Sequence, residues 1–269
     1  MPELPEVETV RHAMAMHLVG KRIENVRSSG LSLRATPAPS HLLSLRGCRF
    51  TGARRRAKFL LLDLSDGRVL LVHLGMTGNL LFREETQLHD HIVFELDDGP
   101  PLVYADPRRF GMVMVLNRSE LSDCAHLSQL GVEPLGEQFD AAYLLRQCRG
   151  RVRPIKNLIM DARIVAGVGN IYASEALHRA RIRPSTPAGR LGRGRIQRLV
   201  QAIRDVLNES IQAGGTTISD YQGHGGGGRF QQNLAVYGRA GANCLVCERP
   251  IESEVMAGRN TYFCRRCQR

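Results

Sequence analysis

The sequence predicts an α+β protein in which an N-terminal helix leads into a two-layered β-sandwich or a barrel-like domain, followed by a helical region and a four-cysteine ribbon. Three observations carry this reading. Short aliphatic runs separated by turn chemistry crowd residues 58–116. Helical periodicity dominates residues 139–215. Cys244, Cys247, Cys264 and Cys267 close the chain with the spacing C-x2-C-x16-C-x2-C. A chain of 269 residues is long enough for two modest domains with a real core. The expected boundaries are a sandwich domain at 1–130, a linker at 131–137 ("GVEPLGE"), a helical domain at 138–234 and a ribbon at 235–269.

The elements follow in order. Residues 5–18 are predicted helical, with Pro5 at the first helical position and Glu6 and Glu8 at the positive helix end. Val7, Val10, Met14 and Leu18 recur at helical spacing, and Gly20 stops the run. "KFLLLDL" (58–64), "VLLVHLG" (69–75), "HIVFELDDG" (91–99) and "MVMVL" (112–116) read as strands, with "SDG" and "DDG" as turns. Helical patterns follow at 139–148, 155–161 and 170–180, the last two flanking a tight "GVG". A long amphipathic helix over 194–215 ends at a glycine pair. "GHGGGG" (223–228) is expected to be a mobile loop.

Charge narrows the partner. Residues 1–150 carry 18 basic and 18 acidic side chains, and residues 151–269 carry 19 and 8, so the whole net charge of +11 sits in the C-terminal part. Such asymmetry points to a polyanion, most simply nucleic acid. No apolar run approaches the ~18 residues a membrane helix needs. The start carries glutamates where a signal peptide has a basic stretch, so the expected compartment is the cytoplasm. Nothing in the pattern calls for an oligomer, and a monomer is expected.

Of 37 basic residues only Lys21, Lys58 and Lys156 are lysines. Arginine keeps its proton near neutral pH, whereas a lysine amine can act as acid, base or nucleophile. Lys21 sits where a cation suits the end of the first helix; Lys58 and Lys156 have no such explanation.

Four motifs carry chemistry. The two cysteine pairs can present four thiolates tetrahedrally to one structural Zn²⁺, with no position left open for water. The intervening "ERPIESEVMAGRNTYF" has a Gly-Arg-Asn turn signal between possible strands. Disulfides are disfavoured in a cytoplasmic chain. Cys48, Cys124 and Cys148 are scattered and read as buried or neutral. "GVGN" (167–170) places Asn170 as an N-cap at a helix start suited to a phosphate, beside Arg151, Arg153 and Lys156. "ADPRRFG" (105–111) sets an aromatic beside two guanidiniums, which is either a surface turn over a core Phe or a wedge that opens a base stack. Pro2-Glu3 is either a helix lead-in or, once Met1 is removed, a secondary amine beside a proton donor. Its amine pKa, roughly 7.7–8 for a generic terminus, would be lowered by the helix end. Attack of that amine on a sugar C1′ yields an iminium directly, and Glu3 can handle the protons.

"PELPEVET", "RRAKFLLL" (55–62), "HLGMTG" (73–78), "HDH" (89–91), "DPRRFG" (106–111), "GVGNIYASE" (167–175), "VYGR" (236–239) and the cysteine ribbon together resemble the bacterial formamidopyrimidine-DNA glycosylases, in order and spacing along the full chain. The resemblance implies an N-terminal helix with a β-sandwich, a helix–two-turn–helix domain and a zinc ribbon, with damaged double-stranded DNA bound across the cleft. It implies excision of oxidised purines, 8-oxoguanine and formamidopyrimidines, with strand cleavage by β,δ-elimination. It implies Pro2 as Schiff-base nucleophile, Glu3 as acid, Lys58 as the helper of β-elimination and Arg259 as a phosphate contact assisting δ-elimination. Met76, Arg108 and Phe110 would fill the vacated stack, and His89, Arg151, Lys156 and Asn170 would hold phosphates. The sequence departs from the family in a Gly-rich "ISDYQGHGGGGRF" stretch after Thr217 and in Arg151, where some relatives carry Lys. Two rivals remain: an endonuclease VIII-type enzyme for oxidised pyrimidines, disfavoured by Leu4 and the intact "DPRRF", and a non-catalytic zinc-ribbon DNA-binding protein, which has no use for Pro2, Glu3 and Lys58 together.

Overall fold

A computed structural model describes residues 2–216 and 230–269. The predicted loop at 223–228 lies outside those residues. The chain divides into two compact units. One comprises residues up to Ser128 together with the stretch that begins at Ala213; the other comprises residues 129–212 and 230–269.

In the first unit, helix α1 (Leu4–His17) starts one residue before the expected position, so Leu4 and not Pro5 is its first residue. Glu6 reaches back one turn to the backbone N–H of Glu3 (2.8 Å), which satisfies a donor the helix leaves open. Gly20 follows the helix at φ +96°, a conformation natural to glycine. Eight strands then form two four-stranded antiparallel sheets. β1 (Ile23–Ser28), β6 (Asp90–Leu96), β7 (Leu102–Ala105) and β5 (Asn79–Phe82) lie in that order in one sheet. β2 (Phe50–Arg56), β3 (Phe59–Leu64), β4 (Arg68–His73) and β8 (Met112–Asn117) form the other. A short helix α2 (Pro39–Leu43) lies between β1 and β2, and α3 (Ala125–Ser128) ends the run.

One core joins both sheets and the helix. Ile23, Ile92, Phe94 and Tyr104 from one sheet meet Phe50, Leu60, Leu62, Leu70 and Val72 from the other. Val7, Val10 and Met14 of α1, with Leu18 just past its end, cover them at the helical spacing expected from the sequence. The predicted two-layered sandwich is therefore present. The four strands not expected from the sequence are β1, β2, β5 and β7: β5 and β7 are four residues long, β2 carries three arginines, and β1 ("IENVRS") is largely polar.

The second unit is helical with a terminal hairpin. α4 (Ala141–Cys148) begins at Asp140, whose carboxylate accepts the Tyr143 N–H at 2.6 Å. α5 (Ile155–Ile159), α6 (Asn170–Arg179) and α7 (Arg193–Gln212) follow, with α7 packed on both α4 and α6. β9 (Glu252–Met256) and β10 (Arg259–Phe263) form the ribbon hairpin. Its turn is Ala257-Gly258, both at positive φ, as a two-residue hairpin turn requires. Arg259 and Asn260 are therefore strand residues, not part of the turn expected from "GRN".

Candidate functional site

Pro2 and Glu3 are buried at the start of α1; Glu3 is 2% exposed. The same Glu6 carboxylate that takes the Glu3 N–H through Oε2 takes the Thr216 N–H through Oε1 (2.8 Å). Gly215, at φ +85°, lets that backbone approach: a Cβ there would lie 3.3 Å from Glu6 Cγ. Glu6 therefore fixes the backbone of the candidate nucleophile and acid, a role beyond the helix-end charge that the sequence suggested.

Lys58 is half-buried in the two-residue turn between β2 and β3. Ala57 before it takes φ +54°, a costly conformation for a residue with a Cβ. This hairpin is tied to α1 by Glu8, which receives Arg55 at 2.7 Å and Arg11 at 2.8 Å. Burial alone would raise the Glu8 pKa, but these two guanidiniums outweigh it and the carboxyl is held below its usual range. Across the sheet from Phe59 stands His73. Burial first, then the nearby charges of Lys58, Arg34 and His126, lower its pKa to about 4. Its Nδ1 accepts the Gly75 N–H at 3.0 Å, so the neutral ring carries its proton on Nε2.

Met76, Arg108 and Phe110 share one pocket of about 560 Å³, which Arg34, His73 and Gly75 also line. Phe110 is 48% exposed, and the Arg108 guanidinium stacks 4.8 Å from its ring centre. Phe110 is therefore not a core aromatic. His89 is exposed, and its carbonyl accepts the Asp106 N–H at 3.0 Å.

In the second unit Gly169 is the N-cap of α6 and Asn170 its first residue, which corrects the expected capping role. The Asn170 side chain instead accepts from Lys156 Nζ at 2.5 Å and donates to the Asn260 carbonyl at 2.9 Å. Lys156 is 1% exposed and also donates to Thr261 Oγ1 at 2.6 Å. Its charge is held inside the unit, behind Asn170 and the ribbon hairpin. Arg151 and Arg259 are exposed.

The four ribbon thiols lie within 4.8 Å of one another. Cys244 and Cys267 are 3.9 Å apart at Sγ, and Cys247 and Cys264 are 3.4 Å apart. Tetrahedral Zn–S bonds of about 2.3 Å put sulfurs about 3.8 Å apart, so the quartet fits zinc. The Cys247 pKa is lowered to about 7, first by the Arg249 backbone N–H and then by the neighbouring thiols. Cys267 is pushed up to about 12 by burial and by those same neighbours. Four such sulfurs need a cation before all can be thiolates. The ribbon is anchored to the helices by Glu175, whose buried carboxylate accepts the N–H groups of Ala235, Val236 and Tyr237 at 2.8–2.9 Å. Gln268 accepts from the Cys264 N–H and donates to the Ile182 carbonyl. Of the remaining cysteines, Cys48 and Cys148 are buried and Cys124 is half-buried. Burial pushes the Cys148 thiol up to about 11.

Glu6, Asp106, His73 and Glu175 were not singled out for these roles by the sequence. Each lies inside a quoted motif, "PELPEVET", "DPRRFG", "HLGMTG" or "GVGNIYASE", but only burial shows that its side chain faces inward.

Known proteins resemble this chain along its full length. Residues 1–113 match the model of the formamidopyrimidine-DNA glycosylase N-terminal domain. Residues 130–222 match the formamidopyrimidine-DNA glycosylase H2TH domain, and residues 243–269 match a zinc finger found in FPG and IleRS. The formamidopyrimidine-DNA glycosylase of Thioalkalivibrio sulfidiphilus is 48% identical over 276 residues, covering 100% of both chains. That of Rickettsia massiliae is 42% identical over 272 residues, covering 100% of this chain and 97% of the relative. The crystal structure of the MutM (Fpg) protein from Thermus thermophilus superposes with a TM-score of 0.90 at 41% identity, covering 99% of this chain and 98% of that one. Lactococcus lactis Fpg in complex with an abasic site containing DNA superposes with a TM-score of 0.93 at 33% identity, covering 99% of both chains.

Proposed function

The chain belongs to the formamidopyrimidine-DNA glycosylase family, and from that premise we propose that it is a bifunctional base-excision enzyme for double-stranded DNA carrying oxidised purines. Its substrates are 8-oxoguanine and formamidopyrimidine lesions, and it cleaves the strand at the resulting abasic site. The observation that carries the reading is the buried Pro2-Glu3 pair, locked through Glu6 at the positive end of α1.

After Met1 is removed, the Pro2 amine attacks C1′ of the flipped nucleotide as the bond to the damaged base breaks. Glu3 supplies the proton that opens the sugar, and the ring-opened sugar is left joined to Pro2 as an iminium. Lys58, presented by the strained Ala57 turn beside the unprotonated His73, assists loss of the C2′ proton and departure of the 3′ phosphate. Arg259 at the start of β10 binds phosphate and assists the second elimination. Met76, Arg108 and Phe110 fill the stack, and His89, Arg151 and Asn170 contact phosphates, with Lys156 supplying charge behind Asn170. A Zn²⁺ held by Cys244, Cys247, Cys264 and Cys267 would fix the hairpin that carries Arg259. The division into domains at 1–130, 138–234 and 235–269 with a linker at 131–137, the monomeric state and the cytoplasmic location belong to the same proposal. Among the described residues no helix is long and apolar enough to cross a membrane.

Borohydride trapping on an abasic-site duplex tests the chemistry. Met1-processed protein should give a covalent adduct that Pro2→Gly abolishes. Absence of any adduct with the intact protein would overturn the enzymatic reading. Side-by-side excision from 8-oxoguanine and thymine glycol duplexes tests the substrate class, and preference for thymine glycol would reassign the enzyme to oxidised pyrimidines.

A further inference from the structure

We propose that Asp106 is a positioning residue that holds the stack-filling side chains in one rigid array, an inference that rests on the reading of Met76, Arg108 and Phe110 as the wedge. Asp106 is fully buried. Its Oδ1 accepts the Thr77 hydroxyl at 2.5 Å, and its Oδ2 accepts the Gly111 N–H at 2.7 Å. Thr77 Oγ1 accepts in turn the N–H of Arg108 at 3.2 Å. One carboxylate therefore joins the residue after Met76 to the residue after Phe110, and Arg108 hangs from the same bridge.

The rest of the surroundings hold Asp106 itself. Its carbonyl accepts the Arg109 N–H at 3.1 Å and His91 Nε2 at 2.9 Å. A carbonyl can only accept, so Nε2 is the donor. Ser29 Oγ lies 3.1 Å from His91 Nδ1 and completes the chain. The two backbones are also interlocked. Gly75 sits at φ +65°, and a Cβ there would lie 2.6 Å from both Phe110 C and Gly111 N. A Cβ on Gly111 would run into the Tyr104 hydroxyl. The loops bearing Met76 and Phe110 can thus move only together.

This rigidity has a use. An exposed aromatic and a long Arg side chain on free loops would lose conformational freedom on entering a base stack. Side chains already stacked on each other and anchored below do not. Arg109, between the two wedge residues of the second loop, takes φ +56°, a conformation that persists where surrounding contacts impose it.

The test uses the full-length protein with Asp106→Asn, Thr77→Val, Thr77→Ser and Phe110→Ala variants. Unstacking is read by 2-aminopurine fluorescence next to an 8-oxoguanine in duplex DNA. Strand cleavage is read separately on a single-stranded abasic oligonucleotide, which has no stack to open. Asp106→Asn and Thr77→Val should slow unstacking by roughly 10- to 100-fold, the scale expected from ångström misplacement. Both should leave single-strand cleavage within about twofold, and Thr77→Ser should restore unstacking. If Phe110→Ala slows unstacking while Asp106→Asn and Thr77→Val do not, Asp106 has no positioning role and the wedge reading stands. If Phe110→Ala unstacks at the wild-type rate, the wedge reading itself is lost. Equal loss on both substrates, with a lowered Tm, would make the carboxylate merely structural and overturn the proposal. Thr77→Val decides the matter should Asp106→Asn fail to fold.

Discussion

His73 makes stability depend on pH in a way that can be worked through. In the folded chain its pKa is lowered to about 4 from 6.5, chiefly by burial. Protonation would place a hydrogen on Nδ1, which now accepts the Gly75 N–H. The folded pKa is depressed, so the stabilisation is fully present above the unfolded value and is lost as pH falls from there through about 4. At about pH 7.5 neither state binds the proton; at about pH 5 the unfolded chain binds it and the folded chain does not. Roughly 1.5 pH units of that window are then crossed, at about 1.36 kcal/mol each, so about 2 kcal/mol is lost. The assay is urea unfolding of the wild type and His73→Gln at both pH values, since all other titrating groups cancel in the difference. The stability advantage of the wild type should shrink by about 2 kcal/mol at the lower pH. A gap that does not change with pH, or an NMR titration placing the ring near its ordinary pKa, would refute the reasoning.

Further outcomes follow from the other buried polar groups. Glu6→Gln keeps one carbonyl oxygen where the carboxylate offers one to each of the Glu3 and Thr216 N–H groups, so one of these two bonds is lost. It should cost about 1–3 kcal/mol and slow borohydride trapping; unchanged thermal stability and trapping would remove Glu6 from the positioning role. Lys156→Met removes the donor that Asn170 Oδ1 and Thr261 Oγ1 both accept from, leaving the Thr261 hydroxyl its 3.4 Å bond to the Arg259 carbonyl, and should lower the thermal midpoint, with a cost of about 1–3 kcal/mol. Retention of the wild-type midpoint would show that the ammonium does not hold the hairpin. Elemental analysis should find one zinc per chain. Chelation should unfold the ribbon and abolish DNA cleavage, and active protein without zinc would contradict the assignment. Asp161 is held far below the usual carboxylate range, first by Arg163 and then by Arg153. Its stabilisation is present above an ordinary carboxylate pKa and lost only in strong acid, so Asp161→Asn should flatten the acid limb of a stability profile.

The sequence was most readable where one local rule sufficed. β3, β4 and β6 are aliphatic runs buried along most of their length, and β8 is an aliphatic run buried at its start, so composition alone marks them. β2, "FTGARRR", escaped because it is an edge strand, half-buried along most of its length, with arginines that serve ion pairs: Arg54 meets Asp63 and Arg55 meets Glu8. Asn170 was placed one position early because a glycine and an asparagine both suit a cap; the pull of Lys156 and the Asn260 carbonyl decided which one takes it.

By itself the sequence determined α1 and its amphipathic face, the four aliphatic strands, helices α4 to α7 in their order, the cysteine quartet and the motifs that betray the family. Each depends on spacing along the chain, which is written in the residues directly. Only the tertiary structure decided which polar residues face inward and what they hold. Glu6 bridges residues 3 and 216, Asp106 joins residues 77 and 111, and Lys156 reaches residue 261. A buried charge must find its partners wherever the fold brings them, and those separations leave no period or motif to read.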